Sequence, residues 1–180
     1  MLKLHKIDVT FPIEKCIFDC KNPELNDFFF NDAIDYLRES YDQIYLIKEN
    51  NSSIIIGYIT ISCGVVKFSE EMAIKKKLRN IPGLLVGRLA VDNKFQRKGY
   101  GLDLIKKAVN VAKKISIDVG CRFLIVDAKT TLKSIAFYRK YKFKFIEPIS
   151  GEKIFEELKN GEKPKKRTVK MFFDLHQIMK

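Results

Sequence analysis

Apolar residues recur at helical spacing in the first part of the chain. From residue 25 to residue 37 they return every three or four positions, as they do on one face of a helix. The preceding Asn22, Pro23 and Glu24 provide a capping side chain, a first-turn proline and a carboxylate at the positive end of the helix dipole. We therefore predict a helix from this point to about Arg38. Its buried stripe consists of Leu25, Phe28, Phe29, Ala33, Tyr36 and Leu37.

Two further helices are predicted later in the chain. Residues 101–119 place apolar side chains on one face and lysines on the other, and Gly120 follows the last of them. Thr131 can cap another helix, which extends to about Lys140.

Two segments allow more than one interpretation. Residues 69–80 form either a short helix or a charged loop. Residues 148–167 are long for a connection within a compact domain, so they are either partly helical, at 153–159, or a mobile functional loop.

Strand signals alternate with the helices. Ile, Val, Tyr and Phe either alternate with polar residues or run continuously between turn residues. Residues 49–52 have the composition of a hairpin turn, and Pro82-Gly83 opens the apolar run that follows it. This arrangement indicates an α/β architecture with a mixed sheet. The predicted strands lie within residues 3–11, 43–48, 53–63, 84–91, 122–128, 143–147 and 168–175.

The composition is typical of one soluble domain. The 180 residues are 46% apolar and 31% charged, and a chain of this length can bury a core without a metal or a disulfide bond. We predict a single domain over residues 1–180. No apolar run approaches the ~20 residues that a membrane helix requires, and the N-terminus lacks an apolar signal segment. We therefore expect a cytoplasmic protein with no membrane partner.

The charge is strongly positive. The chain carries 34 basic and 22 acidic residues, a net charge of +12. Such an excess favours an anionic partner: a nucleic acid, a nucleotide cofactor or an acidic protein. The alternative is that the lysines, which make up most of the basic residues, only solvate exposed helix faces.

The cysteines do not indicate a disulfide framework or a metal site. Nothing suggests secretion, so Cys16, Cys20, Cys63 and Cys121 are predicted to be free and mostly buried thiols. The first two have the spacing of metal ligands, but the chain contains only two histidines and offers no convincing second pair. We therefore predict no metal site.

A glycine-containing turn, QRKGYG at residues 96–101, joins the central predicted strand to the longest predicted helix. Unpaired N–H groups at the start of a helix attract anions, above all phosphate. Gly99 and Gly101 would permit a positive φ and close approach, and Arg97 and Lys98 add positive charge. The turn matches neither the nucleoside-triphosphate loop nor the three-glycine dinucleotide loop.

This turn resembles the acetyl-CoA motif of the GCN5-related N-acetyltransferase (GNAT) family, in which Gln/Arg-x-x-Gly-x-Gly/Ala follows a strand that ends in Ala-Val. A second stretch, SIAFYRKYKF at residues 134–143, resembles the family's helix that ends in a tyrosine and a following Gly-Phe. Two motifs in the right order and at the right distance are more specific than either motif alone.

The resemblance implies the GNAT fold, which is α/β (α+β) with a mixed central sheet of about six to seven strands flanked by helices. The fourth and fifth strands, here residues 84–91 and 122–128, would splay apart and leave a slot for acetyl-CoA. The turn would hold its pyrophosphate. The residues implied to bind the cofactor are Leu89, Ala90, Val91, Gln96, Arg97, Lys98, Gly99, Tyr100, Gly101, Leu102, Ser134 and Phe137.

Tyr138 matches the tyrosine that serves the family as the acid for the departing thiolate. With pKa values of ~10 for tyrosine and ~8.5 for a thiol, complete proton transfer would cost about 2 kcal/mol, unless Arg139 and Lys140 lower the pKa of the phenol. Taken alone, Tyr138 would be interpreted as a packing aromatic. Lys142 departs from the pattern, because the family usually has glycine there. If that position needs a positive φ, lysine is strained by about 1 kcal/mol; otherwise the turn has changed.

The predicted central strand, LLVGRLAV, has no carboxylate that could serve as the base found in many family members. At pH 7.4 a lysine amine is only about 0.1% neutral, whereas an α-amine is about one third neutral. We therefore expect an α-amine, or another weakly basic amine, as the acceptor.

Most of the chain resembles the toxin members of the family, which belong to bacterial toxin–antitoxin pairs and acetylate the α-amine of aminoacyl-tRNA. Residues 18–27, 57–64 and 87–92 carry this resemblance together with Tyr138. It implies a small DNA-binding antitoxin, a homodimer and tRNA binding through basic patches. The candidate patches are residues 75–79, 139–144 and 163–167.

Two other functional classes remain open. One is a housekeeping N-acetyltransferase that acts on small molecules, peptides or proteins without tRNA, in which the lysine richness is incidental. The other is a binding module that retains the fold and binds the cofactor without turnover.

Overall fold

A computed structural model describes residues 2–49, 52–68 and 80–178 of the chain. Its seven strands form a mixed sheet in the order β1-β2-β3-β4-β5-β7-β6, in which β4 and β5 are parallel and the other neighbours are antiparallel. This confirms the predicted fold class. The strands are β1 (Leu2–Lys6), β2 (Gln43–Glu49), β3 (Ile55–Lys67), β4 (Asn80–Val91), β5 (Phe123–Lys129), β6 (Lys144–Phe145) and β7 (Thr168–Asp174). The α-helices are α1 (Pro23–Asp27), α2 (Ala33–Arg38), α3 (Tyr100–Asp118), α4 (Leu132–Lys140) and α5 (Pro148–Lys159).

The chain divides into two compact units. The first comprises Met1–Ser62 and Val86–Ala108, and the second comprises Cys63–Leu85 and Val109–Lys180. Strands β3 and β4 and helix α3 therefore contribute residues to both units. Each unit contains a hydrophobic cluster of its own.

Two antiparallel pairings build the sheet of the first unit. Leu4 of β1 lies opposite Ile47 of β2, and Leu46 of β2 lies opposite Tyr58 of β3. The second pairing confirms the predicted hairpin strands. Strand β1 is shorter than predicted, because the carboxylate of Asp8 accepts a hydrogen bond from the Thr10 N–H at 2.9 Å and forms a turn there.

The first helical segment begins and ends where the sequence predicts. The side chain of Asn22 accepts a hydrogen bond from the Leu25 N–H at 3.4 Å, and Pro23 is the first helical residue. Between α1 and α2, however, Phe28–Asp32 forms a π-helical turn. Of the predicted stripe, Phe28, Phe29, Ala33 and Leu37 are buried, whereas Leu25 and Tyr36 are half-buried.

Aromatic rings fill the core of the first unit. Tyr58 is fully buried, and its ring centroid lies 5.1 Å from that of Phe29, 5.5 Å from that of Phe18 and 6.2 Å from that of Phe28. Its hydroxyl donates a hydrogen bond to the Leu25 carbonyl at 2.7 Å, which satisfies the polar end of the ring. Burial raises the pKa of Tyr58 above the usual value for tyrosine.

Strand β4 begins earlier than predicted, so Pro82 and Gly83 lie inside the strand and do not open it. Both residues face β5. The Pro82 carbonyl accepts a hydrogen bond from the Arg122 N–H at 2.9 Å, and a methyl group on Gly83 would lie 2.5 Å from the Phe123 carbonyl oxygen. Glycine is therefore required at residue 83 because the two strands approach closely there. In the sequence, the same Pro-Gly pair has the composition of a turn.

In the second unit, β7 pairs on both sides. Met171 lies opposite Val126 of β5 and opposite Phe145 of β6. Strand β6 contains only two residues, fewer than predicted. Helix α5 settles the choice left open for residues 148–167 and begins five residues before the predicted 153. A methyl group on Gly151 would lie 2.3 Å from the Phe145 ring, so only glycine fits where this helix crosses β6.

The cysteines are unpaired, as predicted, but they are less buried than predicted. Cys20 is buried, Cys16 and Cys121 are half-buried, and Cys63 is exposed. In the part of the chain that is described, no helix combines the length and the apolar character that a membrane span needs. The prediction for residues 69–80 falls, except for Asn80, outside the described residues.

Candidate active site

A buried carboxylate holds the beginning of the predicted cofactor turn in the first unit. Asp92 follows β4 directly and is only 5% exposed. One of its oxygens accepts a hydrogen bond from the Asp19 N–H at 2.9 Å, and the other accepts one from the Lys94 N–H at 2.9 Å. The short 3-10 helix Asn93–Phe95 that follows is therefore capped by Asp92 and tied to residue 19.

The side chain of Gln96 points back into the protein. Its amide nitrogen donates to the Val91 carbonyl at 3.1 Å and lies 3.4 Å from the Cys20 carbonyl oxygen. These contacts hold the turn against the end of β4. Gln96 was predicted to bind the cofactor, and the structure gives its side chain the separate task of shaping the turn.

Two residues of the turn have a positive φ. Gly99 has φ 93°, as predicted, and Arg97 has φ 62°. Gly101 would also permit a positive φ but does not adopt one, because it lies in the first turn of α3. The positive φ values fall at Arg97 and Gly99, and the helix starts at Tyr100, one residue before the predicted Gly101.

The turn presents a row of unpaired N–H groups. The Gly99 carbonyl accepts from the N–H groups of Leu102 and Asp103, at 2.9 and 3.2 Å, and so starts the helical pattern. Within residues 2–49, 52–68 and 80–178, the five N–H groups of residues 97–101 make no main-chain hydrogen bond. They lie at the start of the 19-residue helix α3, the positive end of its dipole, and both Arg97 and Gly99 have a positive φ, as occurs in anion-binding turns. This arrangement fits a diphosphate.

Side chains add positive charge to the same turn. Arg97 and Lys98 are both exposed, and the Lys98 ammonium lies 5.3 Å from the centre of the Phe95 ring. Tyr100 packs edge-on against Phe95 with a centroid distance of 6.2 Å. Both cations therefore remain accessible to an anion, and the Lys98 ammonium also lies beside an aromatic ring.

The end of β4 lies unusually close to β3. A methyl group on Gly57 would lie 2.7 Å from the Ala90 carbonyl oxygen, so glycine permits the approach. Ala90 is buried, whereas Leu89 and Val91 are half-buried. The predicted residues from Leu89 to Leu102 all lie in the first unit.

The other predicted residues share helix α4 of the second unit. Thr131 caps this helix as predicted, its hydroxyl accepting from the Ser134 N–H at 3.2 Å. Ser134 and Phe137 are half-buried, and Tyr138 is buried. The ring of Tyr138 packs between Phe137 and Phe143, with centroid distances of 5.2 and 5.3 Å.

Neighbouring charge, which could have lowered the pKa of Tyr138, does not do so. Burial raises the pKa of Tyr138 well above the usual value for tyrosine. Arg139 is engaged elsewhere, because its guanidinium bonds to Glu152 at 2.8 Å and lies 4.5 Å from the centre of the Phe155 ring. Adjacency in the sequence did not bring these cations to the phenol, since neighbouring side chains on a helix point in different directions.

A complete Schellman motif ends helix α4. The Phe143 N–H bonds to the Tyr138 carbonyl at 3.1 Å, and the Lys142 N–H bonds to the Arg139 carbonyl at 3.0 Å. Lys142 has φ 65°, which confirms that this position needs the conformation usually supplied by glycine. The turn is therefore retained and the lysine is strained.

Asp42 was missed by the sequence reasoning. It is 6% exposed, and its carboxylate approaches the central strand at Gly87 and Arg88. No local pattern marks it, because it simply precedes β2 and bonds to a residue 46 positions later in the chain. Only the fold brings a carboxylate to a strand that has none of its own.

Comparison with known proteins agrees with these features. The model of the acetyltransferase (GNAT) family matches residues 10–143. The chain belongs to the GNAT acetyltransferase family. Its members use acetyl-CoA, so this chain is an acetyl-CoA-dependent acetyltransferase, as predicted. The turn at 97–101 fits the diphosphate of that cofactor.

The chain is similar to the probable toxin TacT of Sinorhizobium fredii (strain NBRC 101917 / NGR234). The two are 21% identical over 140 residues, which covers 72% of this chain and 77% of the relative.

The fold is similar to those of solved toxins. AtaT complexed with acetyl-methionyl-tRNAfMet has a TM-score of 0.77 at 22% identity, covering 99% of this chain and 98% of that one. AtaTR bound with acetyl-CoA has a TM-score of 0.76 at 23% identity, covering 99% and 96%. A KacT variant with one tyrosine replaced by phenylalanine has a TM-score of 0.77 at 22% identity, covering 99% and 97%. At these identities the likeness shows the fold.

Proposed function

We propose that this GNAT acetyltransferase is the toxin of a toxin–antitoxin pair and transfers acetyl to the α-amine of aminoacyl-tRNA. The observation that supports it most is the likeness, over nearly the whole of both chains, to AtaT complexed with acetyl-methionyl-tRNAfMet. The similarity to the probable toxin TacT and the net charge of +12 support the same acceptor.

Acetyl-CoA, when bound, supplies the acetyl thioester. The chain's own part in binding is carried by main-chain groups: those of Leu89 to Val91 for the pantetheine, and the N–H groups of residues 97–101 for the diphosphate. Arg97 and Lys98 add charge, and Gln96, Tyr100 and Leu102 shape the turn. Ser134 and Phe137 flank the thioester end. The splay of β4 from β5 stays a prediction.

Tyr138 holds the proton that the departing sulfur takes up. Within the described part of the chain its hydroxyl has no hydrogen-bond partner, so it is free to donate to a ligand. The raised pKa keeps the phenol protonated at every physiological pH. It also makes Tyr138 a weaker acid, but a sulfur bound in the same desolvated surroundings becomes more basic too.

Exposed cations of the second unit offer a surface for tRNA phosphates. In the patch at 139–144 all four cations are exposed, although Arg139 is paired with Glu152. In the patch at 163–167 the main chain is tied to Thr130, whose N–H donates to the Arg167 carbonyl at 3.0 Å and whose hydroxyl donates to the Lys166 carbonyl at 2.5 Å. This run is therefore held beside the start of the helix that carries Tyr138. The patch at 75–79 lies outside the described residues.

The remaining parts of the proposal follow from the toxin assignment. We propose a small DNA-binding antitoxin as a protein partner, in line with solved KacTA–DNA and AtaT–AtaR complexes. We further propose a homodimer, one domain over residues 1–180 and a cytoplasmic location, where charged tRNA is found.

The decisive experiment compares acceptors directly. The protein is incubated with labelled acetyl-CoA and, separately, with charged tRNA, free amino acids, polyamines and ribosomal protein. Label on the amino acid of charged tRNA, and none on deacylated tRNA, is the expected result. Label on polyamine alone would instead support the housekeeping N-acetyltransferase, and cofactor binding without any labelled product would indicate a binding module.

A further inference from the structure

Two carboxylates of the first unit are almost equally buried but differ in their hydrogen bonding. Asp92 is 5% exposed and both of its oxygens accept main-chain N–H groups at 2.9 Å. Asp42 is 6% exposed, and its single side-chain contact is with Arg88, where Oδ2 lies 3.4 Å from the guanidinium. Buried charges in folded proteins are normally paired and fully hydrogen-bonded. Asp42 is therefore an exception that calls for an explanation.

The second oxygen of Asp42 has no partner. Within residues 2–49, 52–68 and 80–178, Oδ1 accepts no hydrogen bond, yet it is not sealed from solvent. A nine-tenths buried carboxylate with one unused oxygen points to a ligand that supplies the missing donor.

The backbone beside Asp42 is open. Gly87 is exposed although it lies in the middle of β4. A methyl group on Gly87 would lie 3.6 and 3.8 Å from the two Asp42 oxygens and 2.9 Å from the Thr60 hydroxyl oxygen. Even a methyl group would lie too close to the Thr60 hydroxyl, so glycine is what keeps the main chain beside the carboxylate exposed to solvent.

This opening lies on β4, close to the residues of that strand that are predicted to bind the cofactor. Gly87 and Leu89 are two residues apart on β4, so their Cα atoms are about 7 Å apart and face the same side of the sheet. A donor group that reached Asp42 would thus arrive within one side chain's length of the main chain assigned above to the pantetheine.

Arg88 is held beside the Asp42 carboxylate, where its positive charge offsets part of the carboxylate's negative charge. Its guanidinium lies 3.6 Å from the centre of the Phe28 ring and 4.9 Å from that of Tyr36. The main-chain N–H of Arg88 donates to the Thr60 hydroxyl at 3.1 Å. An isolated buried carboxylate would trap an amine as ammonium, which cannot attack a thioester. The adjacent cation limits that effect and leaves Oδ1 able to accept an N–H hydrogen bond.

From these observations we infer that Asp42 binds the acceptor amine, with Oδ1 accepting a hydrogen bond from its N–H at the opening in front of Gly87. The inference deepens the proposed function and rests on it for the choice of amine. It assigns to Asp42 the orientation of the nucleophile. Strand β4 itself offers no carboxylate that could contact the amine.

The test uses binding discrimination, which a purely structural carboxylate would not affect. The probes are an amino-acid methyl ester and the matching ester in which hydrogen replaces the amine, so that they differ only in whether a donor reaches Asp42. In the wild type we expect the amino ester to bind about 10- to 100-fold more tightly, as charge-assisted hydrogen bonds typically provide. In Asp42→Asn this preference should disappear, while acetyl-CoA affinity stays unchanged. A variant that kept the preference would overturn the inference.

A matched control and a measurement on the unaltered protein complete the test. Asp35→Asn makes the same chemical change at an exposed ion pair with Arg38 on α2 and should alter neither affinity. If Asp42→Asn does not fold, carboxyl NMR of the wild type decides: the Asp42 signal must shift with the amino ester and not with the ester that lacks the amine, and equal shifts would overturn the inference.

Turnover separates this inference from the proposed function. Asp42→Asn should raise KM for the acceptor by about 10- to 100-fold and change kcat less, whichever amine the wild type acetylates. Label on polyamine would end the tRNA assignment and leave Asp42 testable with polyamine. Unchanged KM with charged tRNA as the true substrate would end the Asp42 assignment alone.

Discussion

At the scale of single residues, burial and catalysis make opposite demands on Tyr138. A buried phenol keeps its proton, because the charged form loses its hydration. A catalytic acid must give that proton up. The two demands are compatible only if the sulfur that receives the proton is also desolvated. The difference between the pKa of the phenol and the pKa of the departing thiol then stays small.

The Tyr138 assignment predicts a specific kinetic signature. Tyr138→Phe should lower kcat by about 10²-fold, the lower end of what general acids contribute, and leave acetyl-CoA affinity by calorimetry unchanged. Tyr141→Phe, whose ring also contacts Phe137 at 5.0 Å, is the matched control and should be near wild type. Equal turnover in wild type and Tyr138→Phe would mean that another group serves as the acid.

The pH dependence follows from the raised pKa. The rate should increase as the acceptor amine loses its proton and should then stay level through pH 10, because the phenol remains protonated there. An unperturbed tyrosine acid would make kcat fall near pH 10. The measurement is kcat between pH 6 and 11 with saturating substrates.

At the scale of elements, two glycines that both have a positive φ allow the effect of backbone strain to be separated from an effect on cofactor binding. Gly99 has φ 93° and Gly161 has φ 79°, and a methyl group on either would meet no atom within 4 Å. Alanine at each position should therefore reduce the free energy of unfolding by a similar amount, about 1 kcal/mol, through backbone strain alone. Only Gly99→Ala should weaken acetyl-CoA binding, by about tenfold, because it disturbs the N–H row. Chemical denaturation and calorimetry measure the two quantities, and equal affinity in both variants would contradict the cofactor assignment of the turn.

The end of helix α4 offers a stabilising substitution. Lys142 occupies the left-handed position of a complete Schellman motif. Lys142→Gly should raise the free energy of unfolding by about 0.5 to 1 kcal/mol, the relief of strain less the greater entropy of glycine in the unfolded chain. For a chain of this size the melting temperature should rise by about 1 to 4 °C. Lys140→Gly, inside the same helix, is the control and should destabilise the protein.

At the scale of the whole molecule, the buried tyrosines set the alkaline limit of stability. Tyr58 and Tyr138 both have raised pKa values in the folded state. Above pH 10 the unfolded chain releases protons that the folded chain keeps, so the free energy of unfolding falls as the pH rises. Two such groups should remove about 3 kcal/mol between pH 9 and pH 11. Urea unfolding at the two pH values measures this loss, and Tyr138→Phe should roughly halve it.

Local signals were sufficient for two helix caps and for the backbone conformation of two turns. The caps at Asn22 and Thr131, the positive φ at Gly99 and the conformation of Lys142 all follow from a few adjacent residues. Each depends on hydrogen bonds or sterics within one or two turns of chain, and such information is complete in a short stretch of sequence.

Tertiary structure decided the features that depend on distant residues. Pro82 and Gly83 look like a turn but lie inside β4, because Arg122 and Phe123 approach them. Arg139 stands next to Tyr138 in sequence but pairs with Glu152, and burial among aromatic rings sets the acidity of the phenol. Asp42 reaches the central strand only through folding. The sequence alone therefore determined the family, the caps at Asn22 and Thr131 and the positive φ of the candidate cofactor turn. Burial, strand contact and the charge around each side chain required the fold, because they depend on which distant segments exclude water from a residue.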